Sequence, residues 1–520
     1  MDVLAAVAAW GLTSACQYQP LLPWLNRICP LDAVNFHALE GTLSPSAKIY
    51  FPGSAEYAQL TTRWSTLEEP RVDVVVVPGT EDDVSHTVTF ANTENIPFLA
   101  YNGGHGATTT LGKMDHGIAI SLSQLNSIKI TDNGETATVG GGVMSNDVVD
   151  KLWAHGKLTG KLIYLGPGLG GGHGWLQGHY GLISDQFVSM NVVLADGTLT
   201  QLDANSDLWW AMKGAGHNFG IVTSVKTKIY DVRHRDWAIE TFVFGGDKVE
   251  DVYEAANKYI LRHGRQPVDV INWSYWLNDP QIDPGNVSAC SLKLARLRFS
   301  PLASQPVILF FIIQEGSHHV DPMYTTPFHN LGPLAVQMNP GTYLDLAAWT
   351  GIAKSSPPCQ KSGNANPRFP MYLDSYDVMA QTTAYAMFAD ATRGVSVFNN
   401  SIFMFEGYST HGVKSIASDS SAFAFRDQNI LAAPLISYAP VSSERGVQAA
   451  ELGNRLRQAL LESNGDRSLA AYVNYAYGNE ALADLFGHDE RRLTRLRELK
   501  GKYDPLGRFG FFAPIPRPGA

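Results

Sequence analysis

Cysteine is scarce in this chain: 520 residues hold four, Cys16, Cys29, Cys290 and Cys359, with no Cys-x-x-Cys pair among them. Four thiols close at most two bridges, so a disulfide framework is excluded, and the spacing excludes a zinc ribbon. A basic surplus is missing as well, since 39 Lys and Arg stand against 49 Asp and Glu for a net charge of −10. With no basic stripe to neutralise phosphates, nucleic acid is not expected as a partner. No apolar run reaches the length of a bilayer span, so no membrane segment is expected. Charged residues at 17% and hydrophobic residues at 45% describe an ordinary globular protein. At this length one core does not suffice, and two or three domains are expected.

The commonest catalytic signatures are also missing. There is no Gly-x-x-x-x-Gly-Lys-Thr, no His-Glu-x-x-His and no Gly-x-Ser-x-Gly, which removes phosphate-loop nucleotide, zinc-protease and hydrolase readings. The N-terminus is ambiguous: Val3 to Leu12 is apolar and Ser14-Ala15-Cys16 is small, but Asp2 stands where a secretory leader needs a base. A leader and a buried or amphipathic helix both remain open, and localisation with them, secreted or cytoplasmic. The sequons at Asn272, Asn286 and Asn399 are usable only in a secreted chain.

Glycine, by contrast, is dense between about Ala38 and Tyr230. Val72 to Val77 is a β-branched run suited to a strand buried on both faces. It stops at Pro78-Gly79, and Thr80 with Asp83 three positions on reads as a helix cap. A second strand, Ile96 to Ala100, then runs into Tyr101-Asn102-Gly103-Gly104-His105-Gly106. That strand–helix–strand unit sets one imidazole in a nearly bare loop at the carboxyl edge, where α/β sheets bind ligands. Taken alone, the loop reads either as an ordinary turn or as backbone N–H groups offered to an anion.

Three further clusters follow. Strand-like Thr136 to Val139 leads into Gly140-Gly141-Gly142, with Ser145 or Asn146 capping a helix that turns Val148, Val149, Leu152 and Trp153 inward. Gly166-Pro167-Gly168-Leu169-Gly170-Gly171-Gly172-His173-Gly174 is the third, and Gly214-Ala215-Gly216-His217-Asn218-Phe219-Gly220 precedes strand-like Ile221-Val222-Thr223. Any one cluster is explained by tight turns. All four together suggest backbone wrapped around a long, thin, anionic ligand. His173, His179 and His217 lack metal-ligand spacing, so no metal is expected.

From about Asp231 glycine thins and aromatic alternation begins. Val307 to Gln314 and Ser401 to Tyr408 read as strands of a mixed or antiparallel sheet with helices packed on one side. Ser355 to Arg368, with three prolines, reads as a loop, Ser443 to Glu462 as a helix, and Glu490 to Lys500 as a further helix.

These pieces, in order, resemble a known family. Pro70-Arg71-Val72-Asp73-Val74-Val75-Val76-Val77-Pro78, Gly103-Gly104-His105-Gly106, Leu169-Gly170-Gly171-Gly172-His173-Gly174 with Tyr180-Gly181-Leu182, and Asp207-Leu208-Trp209-Trp210-Ala211 with Asn218-Phe219-Gly220-Ile221-Val222-Thr223 are similar to the vanillyl-alcohol oxidase and para-cresol methylhydroxylase superfamily of FAD-linked oxidoreductases. Tyr472-Val473-Asn474-Tyr475 and Leu499-Lys500-Gly501-Lys502-Tyr503-Asp504-Pro505 narrow the resemblance to the berberine-bridge-enzyme-like branch, in particular its fungal natural-product members. It covers about Leu39 to Phe512.

The resemblance implies an α+β fold: a two-part FAD-binding domain of the para-cresol methylhydroxylase type and a substrate domain with an antiparallel sheet covered by helices. Residues 1–37 form an extension, 38–230 the FAD-binding domain, 231–467 the substrate domain, and 468–520 return to the FAD side. It implies FAD bonded through His105 to the flavin 8α-methyl carbon, with Asn102, Gly103, Gly104, Gly106, Gly168, Gly170, Gly171, Gly172, His173, Gly220, Ile221, Val222 and Asn474 as cofactor contacts. Other members add a cysteine link upstream of the triple glycine; Thr159-Gly160-Lys161-Leu162-Ile163-Tyr164-Leu165 has none, so one covalent bond is expected. Tyr101 stands where many members have arginine, removing a positive charge near the cofactor.

The implied reaction, that of an oxidase or dehydrogenase, takes a hydride from a small organic molecule with O2 as re-oxidant, and the aromatic-rich second half favours an apolar substrate over a sugar; a carbohydrate oxidase and a non-redox isomerase or cyclase are the alternatives. Proton removal needs a base. Tyr472 and Tyr475 bracket Asn474, and the segment is read as a strand with both tyrosines on one side. Tyr472 is the first candidate, against a packed tyrosine with a satisfied hydroxyl. Glu406, on one face with Ile402 and Met404, is a second candidate, either inward with a raised pKa or facing solvent.

Overall fold

A computed structural model describes residues 34–160, 165–279, 305–462 and 468–518. The apolar stretch Val3 to Leu12, Cys16, Cys29, Cys290, the sequon at Asn286 and Lys161 to Tyr164 lie outside the described residues.

The β-branched run forms the strand Val72–Val77, paired in parallel with Gly117–Ser121, which pairs in parallel with Phe98–Tyr101; Lys48–Tyr50 completes a four-stranded sheet. Thr80 and Asp83 close the capping box of the helix Glu81–Thr93, satisfying two N–H groups that a helix start leaves unpaired. That helix buries Val84, Val88 and Ala91 against Val74, Val76, Ile118 and Ile120. The following strand begins at Phe98 rather than Ile96. Pro97 has no N–H to give the ladder.

A five-stranded antiparallel sheet follows in the order Ile128–Ile130, Thr136–Gly140, Ile221–Lys228, Phe187–Val193, Leu199–Asp203. Its helix Ser145–Trp153 has Met144 as cap residue without a side-chain bond, so Ser145 and Asn146 lie inside the first turn instead of capping it. The C-terminal helix Glu490–Tyr503 lays Leu493, Leu496 and Leu499 into the core of this sheet. Its Lys500 is buried, bonding Asp504 at 2.7 Å and the carbonyls of Asn218 and Phe509, so three acceptors compensate the desolvated ammonium.

The third sheet has seven strands in the order Ala335–Gly341, Trp237–Phe244, Val307–Glu315, Val270–Leu277, Ile402–Gly407, Ile430–Leu435, Met371–Leu373, every pairing antiparallel. Two-residue alternation gives it two apolar faces. Phe242, Phe310, Phe403 and Phe405 lie beneath the helices Val249–Ala255, Val378–Thr392 and Ser443–Glu462. Trp273, Tyr275, Phe311 and Tyr408 face the other way and meet Trp175 from the glycine-rich half. Asn272 is fully buried on the central strand, so its sequon cannot be glycosylated in the folded chain. The segment from Ser355 to Arg368 is irregular apart from one 3-10 turn, Pro357–Cys359. No described helix is long and apolar enough to cross a membrane.

Candidate active site

The strand Phe98–Tyr101 delivers the chain to the edge of its sheet, and Gly104 then adopts φ +72°, a left-handed turn that glycine takes without a Cβ clash. The loop is held from behind. Trp64 N–H donates to Gly104 O at 3.2 Å, Asn102 Nδ2 to Val143 O at 3.0 Å, and Arg63 Nη2 to Gly106 O at 3.2 Å. In front, the N–H groups of Gly103, Gly104, His105 and Gly106 reach no protein acceptor among the described residues. A bare run of backbone donors with Arg63 and Lys361 alongside is the donor set that a diphosphate needs. The loop therefore fits the anionic part of a dinucleotide cofactor.

His105 is open on one side and stacks on Trp64 on the other, 5.8 Å between ring centres at 26°. Enclosure by protein, then the charges of Arg368, Lys361 and Arg63, push its pKa down to about 4. At neutral pH its imidazole carries no charge and keeps a nucleophilic nitrogen.

The other glycine clusters are built differently. The N–H groups of Gly140, Gly141 and Gly142 are spent on Ser127 O, Thr223 O and Leu125 O. A Cβ on Gly140 or Gly142 would lie 2.0 Å from Leu125 O or 1.8 Å from Leu122 O. That cluster is packing between strands, so the expectation of four ligand-wrapping turns fails there. Gly168, Gly170, Gly171, Gly172 and Gly220 are likewise confined by protein, their missing Cβ positions lying 2.3 to 2.6 Å from Phe187, Asn474, Phe423, Ile183 and Val192. Ile221 and Val222 are buried in the cores beside them.

Tyr101 does not turn towards the His105 loop opening. Its hydroxyl donates to Leu60 O at 2.8 Å and it lines a cavity with Tyr57, Arg63 and Glu69; burial pushes its pKa up to about 12. A positive charge nevertheless stands behind the loop, since buried Arg63 holds Gly106.

The residues Val473–Tyr475 form a 3-10 turn, not a strand. A strand alternates every two residues and would have parted Tyr472 from Tyr475, whereas residues three apart eclipse in a 3-10 turn. The two rings accordingly meet edge to face at 5.1 Å. Tyr472 is 2% exposed, accepts from Asn474 Nδ2 at 2.7 Å, and has its pKa raised above the phenol range by burial. Asn474 also donates to Pro167 O at 2.9 Å, tying this turn to the third glycine cluster. His217 Nε2 lies 3.3 Å from Asn474 Oδ1, and burial pushes the His217 pKa down to about 4. His173 is buried between Gln177 Oε1 at 2.9 Å and the Tyr372 hydroxyl at 2.7 Å, stacked on Tyr408.

Glu406 lies on the sheet face turned from the helices, 5% exposed. The hydroxyls of Tyr408 and Tyr475 donate to its two oxygens at 2.8 and 2.9 Å. Tyr475 is half-buried, so of the two tyrosines it is the one accessible from outside. Two residues that sequence reasoning missed join this pair to His105. Arg368 lies 5.0 Å from the Trp64 ring and 4.2 Å from the Tyr475 ring, within cation–π range of both. His105, Trp64, Arg368, Tyr475 and Glu406 therefore form one continuous stack. The only sequence signal was a bulky aromatic and an arginine on irregular segments, which names no partner. No cluster of His, Cys, Asp or Glu able to hold a metal occurs among the described residues.

Residues 72–203 match a family model described as an FAD binding domain. The chain is 52% identical over 520 residues to the FAD-linked oxidoreductase chyH of Penicillium rubens, covering 99% of both. It is 48% identical to the FAD-linked oxidoreductase chry5 of Gibberella zeae, over 93% of this chain and 95% of that one. Among solved structures, the BBE-like 1 protein of Physcomitrella patens superposes with a TM-score of 0.74 at 18% identity, over 92% of this chain and 98% of that chain. The fold is thus that of the berberine-bridge-enzyme-like flavoproteins, and the chain belongs to the FAD-linked oxidoreductases.

Proposed function

We propose that this enzyme oxidises a C–H bond of a small, largely apolar organic molecule, in the manner of a natural-product oxidase. When bound, the flavin supplies the acceptor for the hydride, at its N5, and O2 returns it to the oxidised state. The cofactor half is read as residues 38–230 with 468–520, and the substrate half as 231–467. The observation that carries the reading is the unbroken stack from His105 to Glu406.

His105 holds the cofactor by the single covalent bond, at the 8α-methyl carbon. Its depressed pKa supports this, because an uncharged imidazole is the nucleophile such a bond requires. The N–H groups of residues 103 to 106 bind the diphosphate. The Tyr475–Glu406 pair removes the proton. As the substrate's C–H bond breaks, its hydroxyl or N–H proton passes to the Tyr475 oxygen while the Tyr475 proton moves along the 2.9 Å contact to Glu406. Tyr472, shut in at 2% exposure, positions Asn474 through the 2.7 Å contact rather than acting as base. Tyr408, beside Glu406, lines a small cavity with His173 and Tyr372, and this aromatic wall favours a flat apolar substrate.

The test is the purified protein's visible spectrum before and after acid precipitation, with peroxide assayed during turnover. Flavin colour that stays with the precipitate, and peroxide formed one for one with product, are expected. A colourless protein, or product without peroxide or any reduced acceptor, overturns the reading.

A further inference from the structure

Arg368 is the one charged member of the stack with no chemistry in the scheme above. Its guanidinium lies against two rings, Trp64 at 5.0 Å and Tyr475 at 4.2 Å. Its Nε is buried and bonds to nothing, and no hydrogen bond from its side chain ends on a protein acceptor among the described residues. Ring faces attract the charge but accept none of its five N–H donors. A guanidinium keeps its proton, so burial leaves a permanent cation short of an acceptor.

Nearby protein anions are already engaged. Both oxygens of Glu406 accept phenolic hydroxyls. The neighbouring cations differ from Arg368: Arg63 donates to Gly106 O and Lys361 to Thr62 O at 2.6 Å. Those two serve the loop. Arg368 instead touches Tyr475, on the side where the proton is moved, and its planar fork matches two oxygens, or one charged oxygen, on a rigid partner.

We propose that Arg368 forms the floor of a substrate subsite for an oxyanion, a carboxylate or an ionised phenol, carried by a flat aromatic molecule. The proposal rests on the oxidase reading for the position of the substrate, and assigns that substrate a negative charge beside the ring that the aromatic wall receives. Contact with the Trp64 and Tyr475 rings holds the guanidinium in place, so ligand binding costs little rearrangement.

The experiment uses the purified holoenzyme and two probes of one shape, 2-naphthoate and neutral 2-naphthamide, read by tryptophan fluorescence and by the shift in Tm. Wild type is expected to bind the carboxylate at least 10-fold more tightly, with the preference weakening as salt rises. Arg368→Gln is expected to lose the preference while keeping its flavin-to-protein ratio, and Arg368→Lys to keep part of it. 4-Nitrophenolate against neutral 4-nitroanisole separates the two oxyanion sources by the same readouts. Equal binding of charged and neutral probes by wild type, or an unchanged preference in Arg368→Gln, overturns the proposal. So does flavin loss in Arg368→Gln, which assigns the cation to the cofactor. A wild-type protein without flavin or peroxide would sink the oxidase reading alone, because the naphthoate preference reads Arg368 without turnover.

Discussion

Two glycine runs of this chain look alike on paper and differ in kind. Gly140-Gly141-Gly142 spends every N–H on protein carbonyls and leaves no room for a Cβ. Among the described residues the N–H groups of Gly103 and Gly104 reach no protein acceptor, and a Cβ on Gly103 would have the His105 ring at 3.1 Å and Met144 at 3.6 Å as its nearest neighbours. One run lacks side chains so that strands can close on each other. The other lacks them so that its backbone faces outwards. Density of glycine alone cannot tell these apart; the destination of the N–H groups does.

Substitution breaks or sharpens that contrast. The largest effect is expected from Gly142→Ala, whose new methyl meets backbone rather than a movable side chain. A loss of about 3 kcal/mol or outright failure to fold should appear in urea unfolding. A wild-type midpoint with poorer flavin retention would instead put Gly142 in the ligand class. Next comes His105→Ala, expected to abolish acid-stable flavin while shifting the urea midpoint by under about 1 kcal/mol, as surface substitutions do; colour still carried by the precipitate would refute the attachment. Glu406→Gln extends the contrast to the buried pair: kcat is expected to fall about 10²- to 10⁴-fold with flavin content unchanged. An unaltered kcat would move the base elsewhere. Gly103→Ala should lower FAD occupancy and leave stability within about 1 kcal/mol, the reverse of Gly142→Ala.

The last effect concerns pH. Folded His105 and His217 titrate near about 4 against 6.5 for the free side chain. Between those values the unfolded chain binds more protons, so stability falls as pH drops from 6.5 towards 4 and levels off below. Removing either imidazole should flatten that slope in acid unfolding of the flavin-free protein, and an unchanged slope would mean that the imidazole removed has no depressed pKa in the folded chain.

What could be read from sequence was local. The β-branched run, its Pro-Gly stop and the Thr80–Asp83 cap lie within a dozen residues, and periodicity placed the helix Ser443–Glu462 correctly. The face of Glu406 followed from alternation with Ile402 and Met404, and the motif order carried the family. The stack of Trp64 on Arg368 was illegible because it joins irregular segments some three hundred residues apart, where no period constrains direction. Tyr475 was found as a candidate beside its neighbours for the wrong geometric reason, a strand in place of a 3-10 turn.

The stitching of the C-terminal tail has a consequence for synthesis. Thr110, five residues past His105, donates to Phe511 O, and Asn218 both donates to Ala513 O and accepts from Ile515 N–H. A separation of 401 residues divides Thr110 from Phe511, so at about 5 to 20 residues per second the ribosome leaves that bond unmade for about 20 to 80 s. Throughout that interval the His105 loop has emerged without this support. A messenger cut short near its end, or a slow stretch of codons before it, therefore leaves a nearly complete polypeptide whose oldest functional segment is still waiting for its youngest.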